Sequence, residues 1–375
     1  MRSAERGVPT LVVSADPAHS LGDVLGCSLS SDPKRVAAGL DALEIDARSE
    51  LNRHWGAVRD YLVSLFRYQG IEEIVAEELA LIPGAEELVT LIAVDDLARS
   101  TDYGAIVVDC APTDSTLRLL TLPEVAHSAV RILLRVQRAI ARVVTPLATA
   151  VLPVPLPEGR VFREAERLLY ETLQRLRERL LDSQTTTRLV TTSERMVIDE
   201  ARRAYRDLSL FEMACDAVVM NRMLPDSARE ESFFKEWVRL EAERREEIEN
   251  AFAPLSLLTA PLQEDEVVGL EALSRQGQAL FGERDPIACL SESAPLRFES
   301  ARRGYRVQMP LPGAAAEELE VSLLDGELLV RAGHLRRSLL LPKPIAEAVL
   351  GGAQLSRDLL TIEFVIDPDR DLGRH

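Results

Sequence analysis

Thr10-Leu11-Val12-Val13-Ser14-Ala15-Asp16-Pro17-Ala18-His19-Ser20 carries a short apolar run that ends in an aspartate and turns at once on a proline. A second stretch, Ala105-Ile106-Val107-Val108-Asp109-Cys110-Ala111-Pro112-Thr113, has the same plan. Unbroken aliphatic runs of this length read as strands buried on both faces, the habit of parallel sheets. In open α/β sheets ligands bind beyond the carboxyl ends of such strands. Two aspartates placed there can handle a magnesium ion and a water. Taken singly, each is also a strand-ending turn or a helix cap.

The usual complement of such aspartates is a G-x-x-x-x-G-K-[ST] loop, whose backbone N–H groups and lysine hold phosphates. The 375 residues contain none: the lysines are Lys34, Lys235 and Lys343, and none follows a glycine. All but three of the 44 basic residues are therefore arginine, which reflects compositional bias, so arginine clusters are not read as phosphate sites. Acidic residues number 61 and the net charge is −17, which repels polyanions and argues against nucleic acid as a partner. Cys27, Cys110, Cys215 and Cys289 form no C-x-x-C pair, so neither a zinc site nor a disulfide framework is expected, and a reducing cytoplasm fits. Met1 to Gly7 is charged and precedes only a short apolar run, unlike a secretory signal. No run reaches the roughly 20 apolar residues of a membrane helix. The most apolar candidate, Val144 to Leu156, is broken by Pro146, Pro153 and Pro155, so an integral membrane protein is not expected.

Along the chain, a helix is expected to end at Gly7, then a strand at 10–14, then a helix-rich stretch to about 98 that includes 55–68 and 71–81. A strand at 104–109 leads into a second helical region with helices at 130–144 and 163–181. Strand and helix then alternate from 188 to 281, which predicts a parallel sheet. Residues 282–295 hold two prolines and read as a linker. Beyond them the period becomes two: Leu319, Val321 and Leu323 alternate with polar residues up to Asp325-Gly326, the strongest local hairpin signal, and Leu328 and Val330 resume. With 305–309, 338–341 and 359–365 this makes a small all-β domain.

On these motifs residues 8 to 281 resemble the ArsA/Get family of dimeric P-loop ATPases, which includes arsenite-pump and tail-anchored-protein-targeting members. Ser14-Ala15-Asp16-Pro17-Ala18-His19-Ser20-Leu21-Gly22-Asp23 is similar to the family's first switch, and Asp109-Cys110-Ala111-Pro112-Thr113-Asp114-Ser115-Thr116-Leu117-Arg118-Leu119-Leu120 to its second. The resemblance implies ATP and Mg2+ as cofactors. Asp16 would orient and deprotonate the attacking water, Asp109 would hold magnesium through a water, and Ser14, Pro112 and Thr113 would be switch residues. Phosphoryl transfer, which is mostly positioning and charge stabilisation, asks for such a pair of carboxylates. Val218-Val219-Met220-Asn221-Arg222 is similar to the strand whose asparagine reads adenine, and Ala260-Pro261-Leu262 to the loop beside the base, so Asn221, Arg222, Pro261 and Leu262 are nucleotide-binding candidates. Asn221 has both a donor and an acceptor for the adenine edge; without the resemblance it reads as a strand-exit residue. Glu194-Arg195-Met196-Val197-Ile198 is assigned a strand-to-helix role, and His19 is read as a supporting group.

Two departures bear on activity. Asp114 stands where the family has glycine, and the phosphate-loop lysine would fall roughly 24 residues before Asp16, ahead of Met1. The expectation is thus an ATPase domain truncated at its amino end, lacking the first strand and P-loop, whose lost central strand leaves neighbouring strands unpaired. Such a chain by itself would bind ATP poorly and hydrolyse none. Residues 296 to 367, with Leu323-Leu324-Asp325-Gly326-Glu327-Leu328, Gly333, Arg336-Arg337 and Leu341-Pro342, resemble the α-crystallin domain of small heat-shock proteins; a generic β-sandwich would also fit. The fold class is therefore α/β, a parallel-sheet P-loop NTPase-type domain at 1–281 with helical insertions at about 40–98 and 121–185. A linker at 282–295, an all-β sandwich at 296–367 and a tail at 368–375 follow. The family implies a homodimer, a client protein or hydrophobic segment or a membrane pump subunit as partner, and coupling of ATP to client or anion handling. The alternative is a noncatalytic chaperone-like interaction protein.

Overall fold

The computed structural model describes residues 1–15, 20–47, 49–53, 56, 60, 63, 85–100, 102–110, 171–291, 294–324, 326–333 and 335–366. The helices expected at 71–81 and 130–144, nearly all of that at 55–68 and the first half of that at 163–181 lie outside them. Two compact units are present, Met1–Leu180 with Val268–Ser274, and Leu181–Val267 with Arg275–His375.

In the first unit a short helix α1 (Arg2–Glu5) stops at Gly7, whose left-handed φ of 84° lets the chain reverse into β1 (Thr10–Ser14). Helix α2 (Leu21–Leu25), β2 (Lys34–Ala37), β3 (Leu40–Glu44), helix α3 (Ala85–Ala98), β4 (Ala105–Asp109) and helix α4 (Leu173–Leu180) follow. The sheet order is β2-β3-β1-β4, with β1 parallel to both β3 and β4 and β2 antiparallel at the edge. Leu11 and Val13 are fully buried with Leu43 and Ile45, and Ala93, Val94 and Leu97 of α3 pack on them. The stretch expected to be helical from about 40 therefore begins with a strand. Leu-Asp-Ala-Leu-Glu has little intrinsic strand preference, and pairing with β1 along its whole length overrides it.

The second unit contains β5 (Thr187–Thr191), helix α5 (Arg195–Leu210), β6 (Cys215–Met223), helix α6 (Lys235–Ala251), β7 (Ser256–Pro261) and the end of helix α7 (Leu270–Phe281). Its sheet is β5-β6-β7, all parallel, as the alternation of strands and helices predicts. Among the described residues the parallel pairings thus lie in two sheets, one in each unit, and β4 and β5 are each edge strands that present an exposed valine, Val107 and Val190.

Residues 282–291, linker-like in composition, are bound to this sheet. Arg188 grips buried Asp216 through Nε and Nη2, both at 3.0 Å, and donates to Pro286 O (2.6 Å) and Ala288 O (2.9 Å). The Leu290 N–H reaches Asp216 Oδ2 at 3.0 Å, and Ser256 donates to Ser291 Oγ and Leu290 O. A buried carboxylate needs such partners, and the linker backbone supplies part of them.

The β-sandwich consists of β8 (Arg297–Ala301), β9 (Gly304–Pro310), β10 (Leu319–Leu324), β11 (Glu327–Ala332), β12 (Leu335–Leu340), helix α8 (Lys343–Ala346), β13 (Val349–Ser356) and β14 (Leu359–Val365). Its sheets are β10-β11-β12 and β13-β14-β9-β8. Period two is direct: Leu360, Ile362 and Phe364 point into the core, as do Val307 and Met309, and Leu328 and Val330. The expected hairpin closes at Gly326 with Leu324 opposite Glu327. Gly304 is required by close approach, since a Cβ there would meet Phe364 O at 1.9 Å.

Asp95 of α3 is 0% exposed and accepts hydrogen bonds from Arg175 Nε (2.7 Å) and Arg179 Nε of α4, one helical turn apart. Removing one member of a buried charge cluster costs about 3–5 kcal/mol, reduced here because both arginines are half-exposed. Asp95→Ala is expected to lower stability by about 2 kcal/mol, read as a smaller urea midpoint, and Asp95→Asn by less. A midpoint unchanged in Asp95→Ala would refute this clasp.

Candidate functional site

The candidate residues fall into two groups, one in each unit. Parallel pairing in the first unit sets Ser14 directly across from Asp109 on one side and Glu44 on the other, at the carboxyl ends of β1, β4 and β3. The Ala15 N–H donates to Asp109 O at 2.8 Å, extending the ladder one residue past the strand. Asp109 is exposed, whereas Ser14 is buried and its Oγ has no hydrogen-bond partner among the described residues. An unpartnered buried hydroxyl costs about 1–3 kcal/mol and calls for a ligand. Two neighbouring oxygen donors, one of them anionic, match the hard-ligand preference of magnesium. Asp16, His19, Pro112, Thr113 and Asp114 lie outside the described residues.

Glu44 escaped sequence reading. Its Oε1 accepts the Gly22 N–H at 2.8 Å, tying the start of α2 to the strand end next to Ser14. Gly22 must be glycine, because a Cβ would meet Cys27 O at 2.8 Å and Glu44 Oε1 at 3.4 Å. Gly26, at φ 69°, then ends α2.

In the second unit β6 loses register with β7 between Met220 and Met223, and Met223 pairs with Pro261 instead. Asn221 and Arg222 lie within this irregularity, at the carboxyl end of the strand, and Arg222 takes a left-handed φ of 58° that a non-glycine residue rarely adopts. The Arg222 N–H donates to Asn221 Oδ1 at 2.9 Å, which fixes the amide orientation, and the Leu262 N–H donates to Met223 O at 2.8 Å. Thus Asn221, Arg222, Pro261 and Leu262 are brought together by one bulge. The loop that follows is anchored by Glu241, a buried α6 carboxylate accepting the Leu224 N–H at 3.0 Å, and Pro261 O accepts amides from Gln263 (3.4 Å) and Gln276 (3.3 Å). Neither Glu241 nor Gln276 belongs to a recognisable motif, so only the fold reveals them.

A family model described as anion-transporting ATPase matches residues 1–282. The chain belongs to the ArsA ATPase family. A model described as an HSP20-like domain found in ArsA matches residues 302–364, so the ArsA-type ATPase domain is followed by an α-crystallin-like one. Among relatives, the chain is 30% identical over 371 residues to a protein of Aquifex aeolicus named arsenical pump-driving ATPase 1, covering 96% of this chain and 93% of the relative. It is 30% identical over 380 residues to a Chlorobaculum tepidum protein named arsenical pump-driving ATPase, covering 100% and 92%. It is 28% identical over 309 residues to ATPase GET3B of Arabidopsis thaliana, covering 75% and 74%.

Within this ArsA-family chain no group of three or more His, Cys, Asp or Glu is arranged to hold a metal among the described residues. Cys215 is buried, and burial followed by the Asp216 charge pushes its thiol well up, so it is a poor thiolate donor. No described helix is long and apolar enough to cross a membrane.

Glu44→Ala removes the acceptor for Gly22. Amide exchange at residues 21–25 is expected to accelerate about tenfold, the equivalent of one charged hydrogen bond partly exposed to water. Unchanged protection at Gly22 would show that Glu44 does not hold this segment.

Proposed function

We propose that the protein is an ArsA-type ATPase domain in which the strand ends of β1 and β4 serve magnesium and the attacking water, while the β6 bulge serves the adenine. The observation that carries this reading is the Ser14–Asp109 register, with a buried hydroxyl that has no partner among the described residues. Asp16, two residues beyond Ser14, would orient the water as general base. Asp109 would hold Mg2+ through a water, and Ser14, Pro112 and Thr113 would follow the state of the terminal phosphate. Asn221 would pair with the base, with Arg222, Pro261 and Leu262 around it. ATP bound there with Mg2+ supplies the phosphoryl group and its charge neutralisation. Because no G-K-[ST] loop occurs in the sequence, this chain alone is proposed to hydrolyse no ATP.

The same proposal includes coupling of ATP to a client protein, hydrophobic segment or anion, the last through a membrane pump subunit, in the cytoplasm and without nucleic acid. The names of the relatives support the anion version, and ATPase GET3B is the kind of relative that supports nucleotide use in a wider family. A homodimer is part of it: Trp237 and Leu240 at the start of α6, with Phe233 in the turn just before it, form an exposed apolar patch suited to self-association and testable by sedimentation. A second reading, a noncatalytic interaction protein, is favoured by the missing lysine loop and by Asp114.

The base-side assignment has a test that does not need turnover. Adenosine and guanosine binding, followed by saturation-transfer NMR, should show adenosine preferred, and Asn221→Ala should weaken adenosine about tenfold while leaving guanosine unchanged. Equal effects on both nucleosides, or none, would remove Asn221 from the base site.

A further inference from the structure

The carboxyl end of α5 belongs to the core of the β-sandwich. Leu210 is 0% exposed and packs in the same cluster as Val307, Leu328, Leu339 and Phe364. Next to it, Arg337 of β12 occupies an inward position, alternating with exposed Arg336, and is only 3% exposed. A guanidinium in an apolar sandwich core is costly unless charge and contact are supplied. Both come from the helix end: the guanidinium carbon sits 5.2 Å from the Phe211 ring centroid, and Nη2 lies 3.9 Å from Glu212 Oε1. Glu212 takes φ 62° as the residue that closes the end of α5, where the Met213 N–H returns to Leu208 O at 2.9 Å.

A second, polar contact lies farther up the helix. Arg202 Nη2 is 3.4 Å from Asp358 Oδ2, and Asp358 sits at the β13–β14 turn with φ 61°. Asp358 also accepts the Gly313 N–H on Oδ1 at 3.0 Å and, through its carbonyl, the Leu311 N–H at 2.7 Å. An inward arginine, a shared leucine and the Arg202–Asp358 pair thus converge on one seam between helix and sandwich.

We propose that the α-crystallin-like sandwich works in cis as a clamp on α5, and that α5, rather than a client, fills this end of its core. Only Phe211, Glu212, Met213 and Ala214 separate α5 from β6, and the Thr187 N–H holds Ala214 O at 2.8 Å, so the clamp also fixes the central strand of the sheet. At the other end of β6 stand Asn221 and Arg222; that extension rests on the nucleotide reading, whereas the clamp does not.

The test is hydrogen exchange on the full chain, comparing residues 196–210 of α5 with residues 304–310 of β9. Leu210→Ala is expected to raise opening about a hundredfold or more in both segments together, the loss usual for a fully buried leucine. Arg202→Met keeps the core intact and is expected to raise both about threefold to tenfold, which preserves the comparison if Leu210→Ala does not fold. A rise confined to one segment, in either variant, would overturn the clamp. Failure of Asn221-dependent adenosine binding would instead remove the nucleotide reading and leave the clamp as it stands.

Discussion

The parallel pairing of β1 with β3 and β4 is the constraint on which the first unit depends. It buries Leu11 and Val13 between their neighbours, and by fixing register it decides which three residues stand at the carboxyl edge: Glu44, Ser14 and Asp109. A slip of one residue would turn each of these side chains to the opposite face. Chemistry at this edge is thus inherited from packing several residues away. Glu44 carries the same logic one step further, because a strand that exists only by pairing supplies the acceptor that seats Gly22.

The second unit is organised around β6. Its amino end is held by the Arg188–Asp216 pair and the backbone of residues 286–291, and its carboxyl end breaks register at Asn221 and Arg222. The preceding helix is shared with the β-sandwich. The chain between ATPase domain and sandwich is thus fastened to the sheet through residues 286–291. A module that in isolation would be read as a recruiter of other proteins has part of its core committed to its own chain.

Much of this was legible in the sequence, and the failures have physical causes. Thr10–Ser14 and Leu359–Val365 appear where apolar runs place them, and the Asp-Gly hairpin closes as its turn chemistry requires. Leu40–Glu44 was hidden because alanine, aspartate and glutamate favour other structure, and only the neighbouring strand recruits them. Val349–Ser356 was hidden by Gly351 and Gly352, yet Gly351 is there for packing, since a Cβ would meet Val365 Cγ2 at 2.9 Å. Asn221 and Pro261, singled out by their motifs as candidates, lie at the β6–β7 register shift. Glu44, Glu241 and the seam residue Arg337 act through contacts distant in sequence, which local pattern cannot register.

The central claim is that these strand-end residues are the water and metal side of an ATPase and lack only a phosphate cradle. The most direct measurement is ATP turnover of the 375-residue chain, alone and with an apolar strand and a G-x-x-x-x-G-K-[ST] loop joined ahead of residue 1. The account predicts no turnover alone, and with the added segment a magnesium-dependent turnover abolished by Asp16→Asn. Turnover by the chain alone that depends on Asp16, or turnover of the extended protein indifferent to Asp16 and Asp109, would contradict it.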